Sequence, residues 1–165
     1  MMTQSYFWKM VDFMGWAAAC ASGEHRPYER IKKKFMDMYS EDEAMDFAMY
    51  HSAKYNELDS RLRAEVGDEI SNGVYGGDDA YSDLLNQVIG QGSAFYYSVM
   101  ADITLLDNLE PFESFSYCIP HVGGCMGDYE KPKMKASEDK ERRLDAVDDA
   151  ENMFWSTIPS SRFWA

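Results

Sequence analysis

The stretch Ser40-Glu-Asp-Glu-Ala-Met-Asp-Phe-Ala-Met-Tyr-His-Ser-Ala-Lys-Tyr-Asn-Glu-Leu-Asp-Ser-Arg-Leu-Arg-Ala-Glu-Val66 decides the fold class. Ser40, with Glu43 three residues on, forms a capping box, in which each side chain satisfies a backbone N–H at a helix start. Phe47, His51, Tyr55, Leu58 and Leu62 then recur at spacings of four, four, three and four. That is one face of a 3.6-residue period, and it predicts a helix running to about Val66. Gly67 marks either its stop or a close helix contact.

Working upstream, Pro27 suits the first turn of a helix that buries Ile31, Phe35 and Met38 while Lys32, Lys33 and Lys34 are solvated. Before it, Phe7, Val11, Met14 and Ala18 predict one helix from Ser5 to about Ala21, ended by Gly23. Phe13-Met-Gly-Trp-Ala-Ala-Ala-Cys-Ala-Ser22 also resembles the apolar part and cleavage site of a signal peptide. Lys9 is the only basic residue before it and Asp12 interrupts it, so the amphipathic helix is the preferred reading.

Downstream lies Ser71-Asn-Gly-Val-Tyr-Gly-Gly77, a run of chain breakers. Asp78 or Asp79 is expected to cap a helix that reaches Gly90 and buries Tyr81, Leu84, Leu85 and Val88. Gly90-Gln-Gly92 breaks the pattern, and Ser93 to Ala101 forms a further helix carrying Phe95, Tyr96 and Val99. A short helix after Pro111, a loop from His121 to Pro132, a final helix from Ser137 to Trp155 and an aromatic tail packed on the body complete the expectation. No repeat, heptad array or alternating strand run is present. The class is all-α, a compact bundle of about five to seven helices in a single domain over 1–165.

Composition bounds the function. The 165 residues are 45% hydrophobic and 15% aromatic, enough for a core without metal or disulfide staples. The formal net charge is −13, which repels nucleic acid and anionic membranes and favours cations and basic proteins. The charge is unevenly placed. Residues 1–40 carry six basic and four acidic groups, a balance of +2. From Ala64 to Glu130 there is no Lys or Arg, and a basic cluster from Lys131 to Arg143 follows. Three cysteines, Cys20, Cys118 and Cys125, fit a reducing compartment, so a cytoplasmic location is expected. No run reaches the roughly 18 apolar residues of a membrane span.

Asp78-Asp-Ala-Tyr-Ser-Asp-Leu-Leu-Asn-Gln-Val-Ile-Gly-Gln-Gly92, the opening Phe7-Trp8 with Asp12, and Phe47 after the capping box resemble the bacterial DUF4240 family. The resemblance covers about residues 5–110 and is looser beyond, in the C-terminal helix and tail at 137–165. It implies a small helical domain with no established activity. The chain departs from the family pattern after the Asp pair, where Tyr81, Leu84 and Leu85 replace its usual F-x-x-F-R.

Each candidate chemistry has a plainer structural reading. Asp78, Asp79 and Asp83 could hold a hard cation or act as acid and base. Their spacing is no EF-hand, and helix N-termini favour acids for structural reasons alone. Gly90-Gln-Gly92 lacks the Lys and Ser/Thr of a phosphate loop. Cys118, His121 and Cys125 lack the fourth ligand that a structural zinc site needs. His51 reads as a core histidine, and the methionines mostly as core. The leading expectation is a non-catalytic acidic protein of bacterial or phage origin, like an immunity protein, an inhibitor or a nucleic-acid mimic. It would dock a basic protein partner through Glu65, Asp68, Glu69, Asp78, Asp79, Tyr81 and Asp83. No cofactor is expected. The alternative is a small cation-dependent enzyme or metal-binding domain built on Asp78, Asp79 and Asp83. The oligomeric state is left open.

Overall fold

Ser40 opens the long helix as its spacing requires: its Oγ accepts from the Glu43 N–H, and Glu43 Oε2 accepts from the Ser40 N–H at 2.9 Å. In this computed structural model, which describes residues 2–109, 112 and 114–122, that helix is α4, Glu41–Val66. It follows α1 (Gln4–Met14), α2 (Trp16–Ser22) and α3 (Tyr28–Met38). After it come the short 3₁₀ helix η1 (Gly67–Glu69), then α5 (Asp78–Gly90) and α6 (Ser93–Ala101). Two further 3₁₀ helices, η2 (Ile103–Asn108) and η3 (Phe115–Cys118), end the described chain. No strand occurs among the described residues, and the fold is an all-α bundle. The start of the helix expected after Pro111, most of the loop to Pro132, the helix from Ser137 and the aromatic tail lie outside the described residues.

The first helix is two. Gly15 adopts φ +74, a left-handed conformation that L side chains rarely take, and it caps α1 before α2 begins. The break shifts the helical phase, so Trp16 and Ala19 are buried and Ala18 is exposed. In α4 the buried face runs through Ala44, Phe47, His51, Lys54, Leu58 and Leu62, with Tyr55 partly buried against the core beside them. Asp78 and Asp79 do not cap α5. The cap is Gly77, no side-chain cap bond forms, and the two carboxylates occupy the first turn, where the helix dipole favours them.

The core is centred on α1, whose Phe7, Met10, Val11 and Met14 are essentially inaccessible to solvent. Phe7 packs against Phe47 and Tyr50 of α4, and Phe35 of α3 lies 5.2 Å from Phe47. The second half of α5 is buried from Leu85 to Gly90. There Gly90 is a close-approach position. A Cβ on it would stand 2.4 Å from Trp16 Cδ1 and 2.9 Å from Phe115 Cγ, so α2, α5 and η3 meet at this one missing methyl group. Gly92, at φ +96, supplies the turn into α6. The expected break at Gly90-Gln-Gly92 is present, although its first glycine serves packing and its second serves the turn. No helix among the described residues is long and apolar enough to cross a membrane.

Candidate functional site

The acidic residues singled out in the sequence lie where α4 ends and α5 begins. Asp68 and Glu69 are exposed on η1, Asp78 and Asp79 are exposed on the first turn of α5, and Asp83 one turn further is half-buried. Glu65, in the last turn of α4, is ion-paired with Arg61, which also donates to the Met100 carbonyl at 2.9 Å. Tyr81 is turned inward, 7% exposed. Its hydroxyl donates to Asp59 Oδ1 at 2.8 Å, and Asp59 also binds Arg63, whose guanidinium lies 5.7 Å from the Tyr81 ring centre. Burial first, and then the bond to Asp59, raises the Tyr81 phenol well above its ordinary pKa. Tyr81 is thus a clasp between α4 and α5, and its neighbours carry the accessible surface.

Two residues of this end carry no distinctive signal in the sequence. Tyr75 stacks on Tyr81, with ring centres 6.0 Å apart and planes 20° apart. Its phenol is raised by partial burial and then by the carboxylates of Asp107, Glu65 and Glu69. Val74 beside it is 51% exposed. The carboxylates of α4, η1 and η2 thus act electrostatically on a loop that exposes Val74 and packs Tyr75 against the core. The breaker-rich spelling of 71–77 marks a loop but not what the loop presents. Asp107 is brought there only by tertiary packing.

Cys118 is fully buried, and desolvation, with Cys20 nearby, pushes its thiol up to about 12, which favours the protonated thiol at neutral pH. His121 is exposed, and Cys125 lies outside the described residues. Among the described residues no group of three or more His, Cys, Asp or Glu side chains gathers in a metal-holding arrangement. His51 lies between Asn86 and Phe115 in the core. Desolvation outweighs the nearby Asn86 amide and lowers the imidazole to about 4. Its Nε2 completes no hydrogen bond. Asn86 is thus close enough to bias the proton but not aligned to bond that atom.

Two buried polar knots position these elements. Trp16 Nε1 donates to Gln87 Oε1 at 3.0 Å, and the same amide lies against Cys20 Sγ. Between α4 and α6, Lys54 Nζ pairs with Glu57 Oε2 at 2.7 Å and reaches Tyr97 Oη at 3.4 Å. Burial disfavours the ammonium, but Glu57 and Tyr97 outweigh it, and the Lys54 pKa is net raised. This lysine stays charged and is a structural cation, not an amine nucleophile.

The opening and closing segments of the sequence signature meet in this fold. Asp12 Oδ1 would stand 3.0 Å from a Cβ on Gly92, and partial burial raises the Asp12 carboxyl although much of the residue is exposed. Neither a curated protein nor a solved structure matches the chain. The family model described as a protein of unknown function, DUF4240, matches residues 2–136, and the chain belongs to that family.

Proposed function

We propose that this protein is a non-catalytic, cytoplasmic interaction module that docks a basic protein partner on its acidic end. The observation that carries the reading is exposed Val74 beside partly buried Tyr75, together with the exposed residues Glu65, Glu69 and Asp107, whose carboxylates act on the Tyr75 phenol. Exposed Asp68, Asp78 and Asp79 extend the same sign of charge. Carboxylates around a docking point accelerate encounter with a cationic partner, and a central aromatic then slows dissociation. The net charge of −13 supports the same partner class.

The test compares the wild-type chain with a Glu69→Lys/Asp78→Lys/Asp79→Lys variant as bait. A basic protein retained by the first and lost by the second is expected. Its association rate should fall by about tenfold or more from low to high salt, while its dissociation rate changes little. Identical captures by both baits, or an association rate indifferent to salt, overturns the reading.

A further inference from the structure

A second surface has the opposite character. Phe13 of α1 and Arg30, Lys33, Lys34, Asp37 and Met38 of α3 line an open groove of about 400 Å³. Phe13 and Met38 are its apolar lining. The Lys34 ammonium lies over the Phe13 ring, 4.4 Å from its centre, and donates to the Phe13 carbonyl at 2.6 Å, so it covers part of that lining. Arg30 and Lys33 form the rim, with side chains 55% and 77% exposed. Each has a local acid, Glu24 and Asp37. A guanidinium carries five N–H donors and an ammonium three, so both retain capacity for further carboxylates.

The groove therefore fits an apolar side chain flanked by carboxylates. The chain itself carries that chemistry, in exposed Val74 beside Tyr75 and in the exposed carboxylates of Glu65, Glu69 and Asp107. The two surfaces cannot meet within one molecule. Met38 lies just before the Ser40 cap of α4, Glu65 lies in its last turn, and a helix of 26 residues is about 39 Å long.

We infer that the chain docks head to tail onto a second copy of itself, the Val74–Tyr75 end of one molecule entering the Phe13–Met38 groove of the next. This rests on reading the acidic end as a docking surface, and it names one basic surface that end fits. The contact is heterologous, so it leaves a free groove at one end of the pair and a free acidic tip at the other, and it propagates instead of closing.

Sedimentation velocity of the full chain across a dilution series tests it. The wild type is expected to show a sedimentation coefficient that rises with concentration. Arg30→Glu/Lys33→Glu and Glu69→Lys/Asp107→Lys should each stay monomeric alone, since each has lost one half of the contact. Mixed in equal amounts, they should form a discrete 1:1 pair, because each retains the half the other needs. A monomeric wild type at all concentrations, a variant that still associates like the wild type, or a mixture that stays monomeric overturns the inference. Binding of oligolysine, followed separately, distinguishes the two failures. If R30E/K33E binds it with wild-type salt dependence while no self-association occurs, head-to-tail docking falls and the acidic-end reading stands. If E69K/D107K binds oligolysine as well as the wild type does, the acidic-end reading falls too.

Discussion

At the scale of single residues, the absent side chain of Gly90 and the buried ring of His51 have the largest consequences. Gly90→Ala places a methyl carbon inside the van der Waals radius of Trp16 and Phe115, both fully buried and unable to swing aside. Overpacking of this kind costs about 1–3 kcal/mol, and urea denaturation of G90A should show a loss in that range or above it. Gly77→Ala, at a position with open space and negative φ, is the matched control and should cost far less. For His51 the sign follows from a folded pKa of about 4 against an ordinary 6.5. Protons bind the unfolded chain first, so stability is full above pH 6.5, declines as pH falls toward 4, and is flat in this contribution below that. The total is about 3 kcal/mol, and His51→Gln should flatten the stability profile across that window. In the sequence His51 was readable as a core residue because its spacing matched Phe47 and Leu58. The role of Gly90 was not readable, since its neighbours Trp16 and Phe115 lie far away along the chain.

At the scale of elements, local chemistry and tertiary partners divide what the sequence discloses. The boundaries of α4 and its capping box follow from Ser40, Glu43 and Gly67 alone, because a cap is made among near neighbours. Two features that the sequence conceals share the opposite cause. Lys54 faces inward because Glu57 and Tyr97 neutralise and bond it, and Tyr97 comes from α6. The Gly15 break is hidden because glycine is tolerated inside a helical pattern, and only the packing of Trp16 beneath α5 decides that the helix must turn there. Glu43 links the two levels: Oε2 completes the box, while Oε1 accepts from the buried Tyr6 hydroxyl at 2.9 Å. Ser40→Ala should therefore cost about 1 kcal/mol, the usual worth of a cap. Glu43→Ala should cost more than S40A, since it also strands the Tyr6 hydroxyl and empties a buried site. Paired chemical denaturation curves check the order, and equal losses would mean that Tyr6 finds another partner without cost.

At the scale of the whole molecule, the all-α class was legible from helical periodicity, and the acidic region from the absence of Lys and Arg between Ala64 and Glu130. The convergence of Glu65, Glu69 and Asp107 on Tyr75 was not, because it depends on how η2 returns toward η1. The same returning topology governs α1. Its apolar face is covered by α3, α4 and α5, Gln4 bonds Tyr97, and Trp16 is enclosed by Gln87, Gly90 and Phe115. On the ribosome, chains grow at about 5–20 residues per second, so the first helix emerges several seconds before its enclosing partners exist. Phe7, Trp8, Met10 and Trp16 must wait through that interval uncovered. The burial of these four side chains is therefore completed only when the later helices that cover them have been made.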